Sequence, residues 1–206
     1  MENIIYDKNS IEFVTVGVEF CSLMENARSF TRAEFVRKSV VVLPLLYLKA
    51  ALLSKDNEED FEGFPEQFVS EAEYEMIRSQ IATVMEDEDD YLETFHPDMA
   101  YSDMPIAAFI SEDLADIYQD IKNLAFAYST RQEDSMRVAL DICRTSFYEY
   151  WGQKLSNAMG ALHHVLKNIE TNGEENEENE DFTAVKDENS LFGYASDNDN
   201  IDEEIF

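Results

Sequence analysis

From Ser10 to Ala27 the polar residues Glu12, Thr15, Glu19, Ser22 and Asn26 recur at intervals of three and four among β-branched and aromatic neighbours. That spacing puts them on one narrow stripe of a helix and outweighs the strand preference of the residues between, so the segment is predicted to be a mostly buried helix. A Thr31-x-x-Glu34 capping box, flanked by Phe30 and Phe35 as a hydrophobic staple, opens a second helix that runs to about Ser54. Its middle, VVVLPLLYL, is apolar on all sides, and Pro44 removes one ladder hydrogen bond and should bend the helix around the core. Ser70 with Glu73, and Val69 with Tyr74, repeat the box and staple at the start of a third helix. Its stripe of Tyr74, Ile77, Ile81, Val84 or Met85, and Tyr91 carries the helix through the acidic run Glu86 to Asp90, where negative charge opposes the macrodipole.

Lys55 to Val69 is predicted to be an acidic loop that tucks Phe61, Phe64 and Phe68 inward. Thr94 to Ile110, with His96-Pro97 and Met104-Pro105, is predicted to be an irregular connection. A fourth helix starts at Ser111 and buries the seam Leu114, Ile117, Ile121, Leu124 and Tyr128. A third box, Thr130 with Glu133, opens a helical pattern that persists to about Ile169. At about 1.5 Å per residue such a helix would reach about 60 Å, more than the roughly 40 Å width of a compact domain of this length. The apolar positions show where it changes. Met136, Ala139, Leu140, Cys143 and Phe147 centre on one direction, and Trp151, Leu155, Ala158, Leu162 and Leu166 centre roughly 90° further round. A bend near Trp151-Gly152, or two helices with different packing partners, is predicted there.

These patterns predict one all-α domain over residues 1–170, a bundle of five or six helices with a central Pro-kinked helix and a long, bent C-terminal helix. Composition adds a tail. Residues 171–206 hold 13 acidic residues and one basic, net −12, so the remaining −18 of the total −30 belongs to residues 1–170. A segment so charged and so poor in apolar residues is predicted to be disordered, although Leu191, Phe192, Tyr194, Ile201, Ile205 and Phe206 leave it able to fold on a partner or on its own domain. The acidic surface repels phosphate backbones and anionic lipid, which disfavours direct nucleic-acid or membrane binding and favours basic partners. No secretory signal is visible, and the longest apolar run, Val40 to Leu48, is far short of the roughly 20 residues of a membrane span, so a cytoplasmic location is expected.

Candidate chemistry is sparse. Cys21 and Cys143 sit in apolar helical patterns with no metal or redox spacing and read as buried thiols. A calcium loop starting at Asp87 or Asp197 would need Gly where Leu92 and Asp202 stand. No nucleophile elbow, phosphate loop or zinc signature occurs, and neither a cofactor nor a metal is expected. The candidate interaction face is on the last helix, where Gln153, Asn157, Gly160 and His164 share one side, flanked by Gly152, Ser156 and His163. Glycine inside a helix costs about 1 kcal/mol relative to alanine, and Gly152, Ser156 and Gly160 at intervals of four make a smooth strip that a loop, the tail or a second copy in a homodimer could cover. Trp151-Gly152-Gln153 followed by Ala161-Leu162-His163 resembles the signature of an uncharacterised family of acidic, all-helical bacterial proteins carrying a domain of unknown function. The resemblance implies an all-α fold and a bacterial cytoplasmic setting, and brings no activity with it.

Three functions follow from these readings. The first is a non-enzymatic interaction module for a basic or amphipathic protein. The second is an acidic decoy that imitates nucleic acid and inhibits a DNA-binding protein or nuclease. The third is a metal-binding or hydrolytic protein using His163, His164 and nearby carboxylates.

Overall fold

The computed structural model describes residues 3–55, 67–93 and 106–172. Six helices make up nearly all of it: α1 (Lys8–Glu25), α2 (Arg32–Ala51), α3 (Glu71–Met85), α4 (Ile110–Ser129), α5 (Glu133–Ser146) and α6 (Gly152–Asn172). Two short strands, β1 (Asp90–Leu92) and β2 (Ala107–Phe109), pair antiparallel with Tyr91 opposite Ala108. The architecture is the predicted all-α bundle with this hairpin added. α4 packs against α1, α3, α5 and α6, while α2 packs against α1 and α6. Phe13, Phe20, Phe35, Leu43, Leu46, Ile77, Ile81, Ile117 and Trp151 fill the core between them.

Local chemistry fixes the helix starts. The Asp7 carboxylate accepts from the Ser10 N–H at 2.8 Å and caps α1. Both boxes form at α2 and α3: Thr31 and Ser70 cap the N–H groups of Glu34 and Glu73, whose carboxylates accept from the Thr31 and Ser70 N–H groups at 2.8 Å in return. The third box does not. Thr130 closes α4 instead, its hydroxyl donating to the Ala127 carbonyl at 2.8 Å, and Arg131 turns the chain at a φ of 56° before α5 starts behind Gln132. A Thr-x-x-Glu pattern cannot cap a helix when the preceding helix already uses its hydroxyl.

The acidic run is also placed differently from the prediction. α3 ends at Met85, Glu86 leaves it at a φ of 51°, and Glu86–Glu88 forms a 3-10 turn leading into β1. Three of the run's five charges, Glu86, Asp87 and Asp89, then have partners. Arg32 reaches Glu86 at 2.5 Å and Asp87 at 3.2 Å while donating to the Val84 carbonyl, so a cation sits at the C-terminal end of α3. Asp89 is buried and accepts from the backbone N–H and hydroxyl of Ser111 at 2.8 and 2.7 Å. It caps α4 from another part of the chain, because the residue preceding α4, Phe109, has no side-chain acceptor. Ser111, predicted to start the helix, lies inside its first turn.

The long C-terminal helix neither breaks nor runs regularly. Phe147–Trp151 forms one π turn between α5 and α6, closed by the Gly152 N–H donating to the Phe147 carbonyl. A π turn inserts one extra residue, and one residue is about 100° of helix rotation, which accounts for the roughly 90° change of apolar direction in the sequence. The change of partner follows: α5 packs on α4 and the 3-10 turn Ile4–Tyr6, α6 on α2 and α4. Trp151 is fully buried at the switch, stacked on Phe13 and donating from Nε1 to the Cys143 carbonyl at 3.1 Å.

Phe61, Phe64, His96 and the tail beyond Asn172 lie outside the described residues. No helix among the described residues is long and apolar enough to cross a membrane.

Candidate binding groove

α6 presents one side to the hairpin, and a groove of about 540 Å³ runs between them. Leu92, Ile110, Ala161 and Val165 give it an apolar floor; Glu88 and Asp90 stand on the hairpin side; Ser156, Asn157 and His164 supply polar groups from α6. Among the described residues no lysine or arginine lines it.

The predicted face divides on this geometry. Ser156, Asn157, Gly160 and His164 line the groove. Gln153 is exposed beside it and donates to the Asn157 amide oxygen at 2.9 Å, and Asn157 in turn donates to the Glu93 carboxylate at 2.9 Å. His163 is exposed and is not among the lining residues. The two glycines differ sharply. A Cβ on Gly160 would meet nothing within 4 Å, whereas one on Gly152 would lie 2.4 Å from the Phe147 carbonyl oxygen and 3.0 Å from its ring. Gly152 is therefore the residue that lets the π turn close, and Gly160 is open space above the groove. Ser156 turns its hydroxyl back to the Gly152 carbonyl at 3.0 Å.

Behind the groove lies a polar cluster that the sequence reading did not single out. Lys154 places its ammonium 3.0 Å from Asp113 and 2.8 Å from Asp116. Asp116 also accepts from the Tyr74 and Tyr150 hydroxyls at 2.9 and 2.7 Å, and Asp113 from that of Tyr91, which reaches the groove. Nearby, Asp120 accepts from the Ser146 hydroxyl at 2.5 Å. Burial pushes the Asp113 carboxyl up, and the hydrogen bond from Tyr91 and the pair with Lys154 offset that only in part; burial likewise pushes Asp120 up. The two carboxylates hold Lys154 firmly protonated despite its burial. Tyr150 is pushed up to about 12 by burial and by its bond to Asp116, and Tyr74 and Tyr91 are pushed further. These tyrosines remain hydrogen-bond donors, and every carboxylate in the cluster has a donor. The arrangement braces α3, the hairpin, α4 and α6 against one another. Its sequence signal was present: Asp113, Asp116 and Asp120 recur at three and four beside the apolar seam of α4.

Among the described residues no group of three or more His, Cys, Asp or Glu side chains is arranged to hold a metal ion. Both cysteines are buried, and burial pushes their thiols up, away from thiolate chemistry.

One family, described as a domain of unknown function, matches this chain. The sequence profile of that family, DUF5063, matches residues 4–168, and the chain belongs to it. Among solved structures the chain is similar to protein BF1032 from Bacteroides fragilis, with 44% sequence identity and a TM-score of 0.69, covering 79% of this chain and 94% of that one. No curated protein matches it.

Proposed function

We propose that the protein is a non-enzymatic binding module that takes a basic, amphipathic segment of a partner protein into the groove between α6 and the hairpin. The observation that carries this is the composition of the groove: an apolar floor of Leu92, Ile110, Ala161 and Val165 beside the carboxylates of Glu88 and Asp90, with no lysine or arginine lining it among the described residues. An amphipathic helix or strand with lysines or arginines along one edge matches both halves of that surface. Gly160 supports the reading, because it gives up helix stability where the fold itself would accept a methyl group. The hydrogen-bonded cluster under the groove holds its walls in place, which lowers the ordering needed on binding. An acidic net charge of −30 adds long-range attraction for such a partner.

The test is calorimetric titration of a model peptide of alternating leucine and lysine helical faces into the full-length protein and its Gly160→Leu variant. A Cβ at Gly160 meets nothing within 4 Å, so the side chain of Gly160→Leu starts in open space and projects into the groove. Binding weakened about tenfold or more, about 1.4 kcal/mol, supports the groove. Equal affinity for the two proteins excludes it as the site.

A further inference from the structure

The groove is bordered by a strand edge that has no partner among the described residues. β1 and β2 form a two-stranded sheet with Tyr91 opposite Ala108. The Asp89 carbonyl accepts from the Ile110 N–H at 2.8 Å and the Glu93 N–H donates to the Ile106 carbonyl at 2.9 Å, so the residues that bond across to β2 are Asp89, Tyr91 and Glu93. Asp90 and Leu92 alternate with them and turn their N–H and C=O groups to the opposite edge. None of those groups has a hydrogen-bond partner among the described residues. That edge faces α6. Glu88, Asp90, Tyr91 and Leu92 line the groove while Ala107, Ala108 and Phe109 of β2 do not, and Asn157 of α6 donates to Glu93 just past the end of β1. A row of open ladder groups beside a groove is a template for one more strand.

The side chains around the edge specify that strand. Successive residues of a strand point to opposite faces. Tyr91 points into the bundle and donates to Asp113 on α4, so Asp90 and Leu92, both exposed, point to the other face. A strand laid along this edge alternates in the same way. Its inward residues fall toward Ala161 and Val165 of α6, and its outward residues fall beside Asp90 and Leu92. A lysine on the outward side lays its aliphatic stem on Leu92 and its ammonium near Asp90. We infer that the partner segment enters the groove in extended form and adds to β1 as a third strand, apolar residues inward on α6 and basic residues outward beside Asp90. This rests on the groove being the binding site and names the form of its ligand. A bound helix spends its own N–H and C=O groups on itself and would bury those of Asp90 and Leu92 unpaired, a cost that a strand avoids. A second copy pairing β1 to β1 is the poorer occupant, because it would bring the Glu88 and Asp90 carboxylates of two acidic chains together.

Calorimetric titration of the full-length protein with two peptides of equal leucine and lysine content tests this, one alternating the two residues strictly and the other spacing them for a helical face. The alternating peptide should bind about tenfold or more tighter and should weaken in Gly160→Leu. N-methylation of either its leucines or its lysines should weaken binding about tenfold or more while N-methylation of the other set leaves it largely unchanged, because a strand bonds its neighbour through alternate residues only. The Asp90 and Leu92 amides should exchange quickly with solvent in the free protein and become protected when the peptide binds. Equal or tighter binding of the helix-spaced peptide, or equal effects of the two methylations, would overturn the inference and leave the groove standing as long as Gly160→Leu still weakens binding. Indifference of both peptides to Gly160→Leu would remove the groove itself and the inference with it. Protection of Asp90 and Leu92 before any peptide is added would also overturn it, the edge then being taken by the chain itself, or by a second copy where protection rises with protein concentration.

Discussion

Gly152→Ala and Gly160→Ala are the same chemical change on the same helix, eight residues apart, and the structure gives them opposite signs. Both glycines lie within α6, and Gly152 has the helical φ of −63° and ψ of −36°, so neither needs glycine for its backbone angles. On propensity alone each substitution would stabilise by about 1 kcal/mol. At Gly160 nothing stands within 4 Å, so the full gain is expected, a rise in melting temperature of about 2–4 °C for a chain of this size. At Gly152 the methyl would lie 2.4 Å from the Phe147 carbonyl oxygen, which is itself the acceptor that closes the π turn. Relieving that contact means moving the carbonyl and straining the turn, at a cost of about 1–3 kcal/mol for an overpacked site, which exceeds the propensity gain. Abolishing the turn altogether would rotate α6 by about 100° and pull Trp151, Leu155 and Leu162 from the core, so the chain keeps the turn and absorbs the strain. Urea unfolding followed by the emission of Trp151, the single tryptophan and fully buried, reads both the midpoint and the integrity of the switch. Gly160→Ala should raise the midpoint and Gly152→Ala should lower it. Equal increases in both would refute the role given to the π turn.

Three further outcomes follow from the same structure. Lys154→Met removes the cation shared by Asp113 and Asp116 and should lower unfolding stability in urea by about 2 kcal/mol, less than the roughly 3–5 of a fully buried pair because Lys154 is partly exposed; an unchanged midpoint would show the pair to be idle. Asp120 is held above its ordinary 3.8 by burial, so the native state keeps its proton longer than the unfolded chain and loses stability as pH rises from 3.8 through the raised value. Asp120→Asn removes that loss, so its stability advantage over the wild type should grow from acid to neutral pH in a urea series, and a constant or shrinking difference would contradict the assignment. Thr31→Ala should cost about 1 kcal/mol in thermal unfolding and Thr130→Ala only a few tenths, because the first caps a helix start and the second closes a helix end; equal losses would restore the capping box predicted at Thr130.

The fold was legible wherever one local rule sufficed. Periodicity placed every helix, two capping boxes formed as written, and the change of apolar direction at Trp151 marked the π turn without naming it. What remained hidden depends on contacts between distant segments. Nothing near Phe109 announces that Asp89 will cap α4, so the acidic run looked like an unfavourable helix end when it is a turn and a strand. The hairpin strands are three residues each, too short for an alternating pattern to stand out against the helices. At the candidate site, helical geometry brought Ser156, Asn157, Gly160 and His164 together on one face. It could not show that Gly152 is filled by the Phe147 carbonyl from inside its own helix, or that Lys154 would find two aspartates on α4.

Chemical-shift mapping of the amphipathic leucine-lysine peptide on the isotope-enriched full-length protein tests the central claim most directly. Binding in the groove predicts the largest shifts at Glu88, Asp90, Leu92, Gly160, Ala161 and Val165, with Ile110 beneath them. Shifts confined to residues 171–206, or spread over the acidic surface with no maximum along α6 and the hairpin, would contradict it.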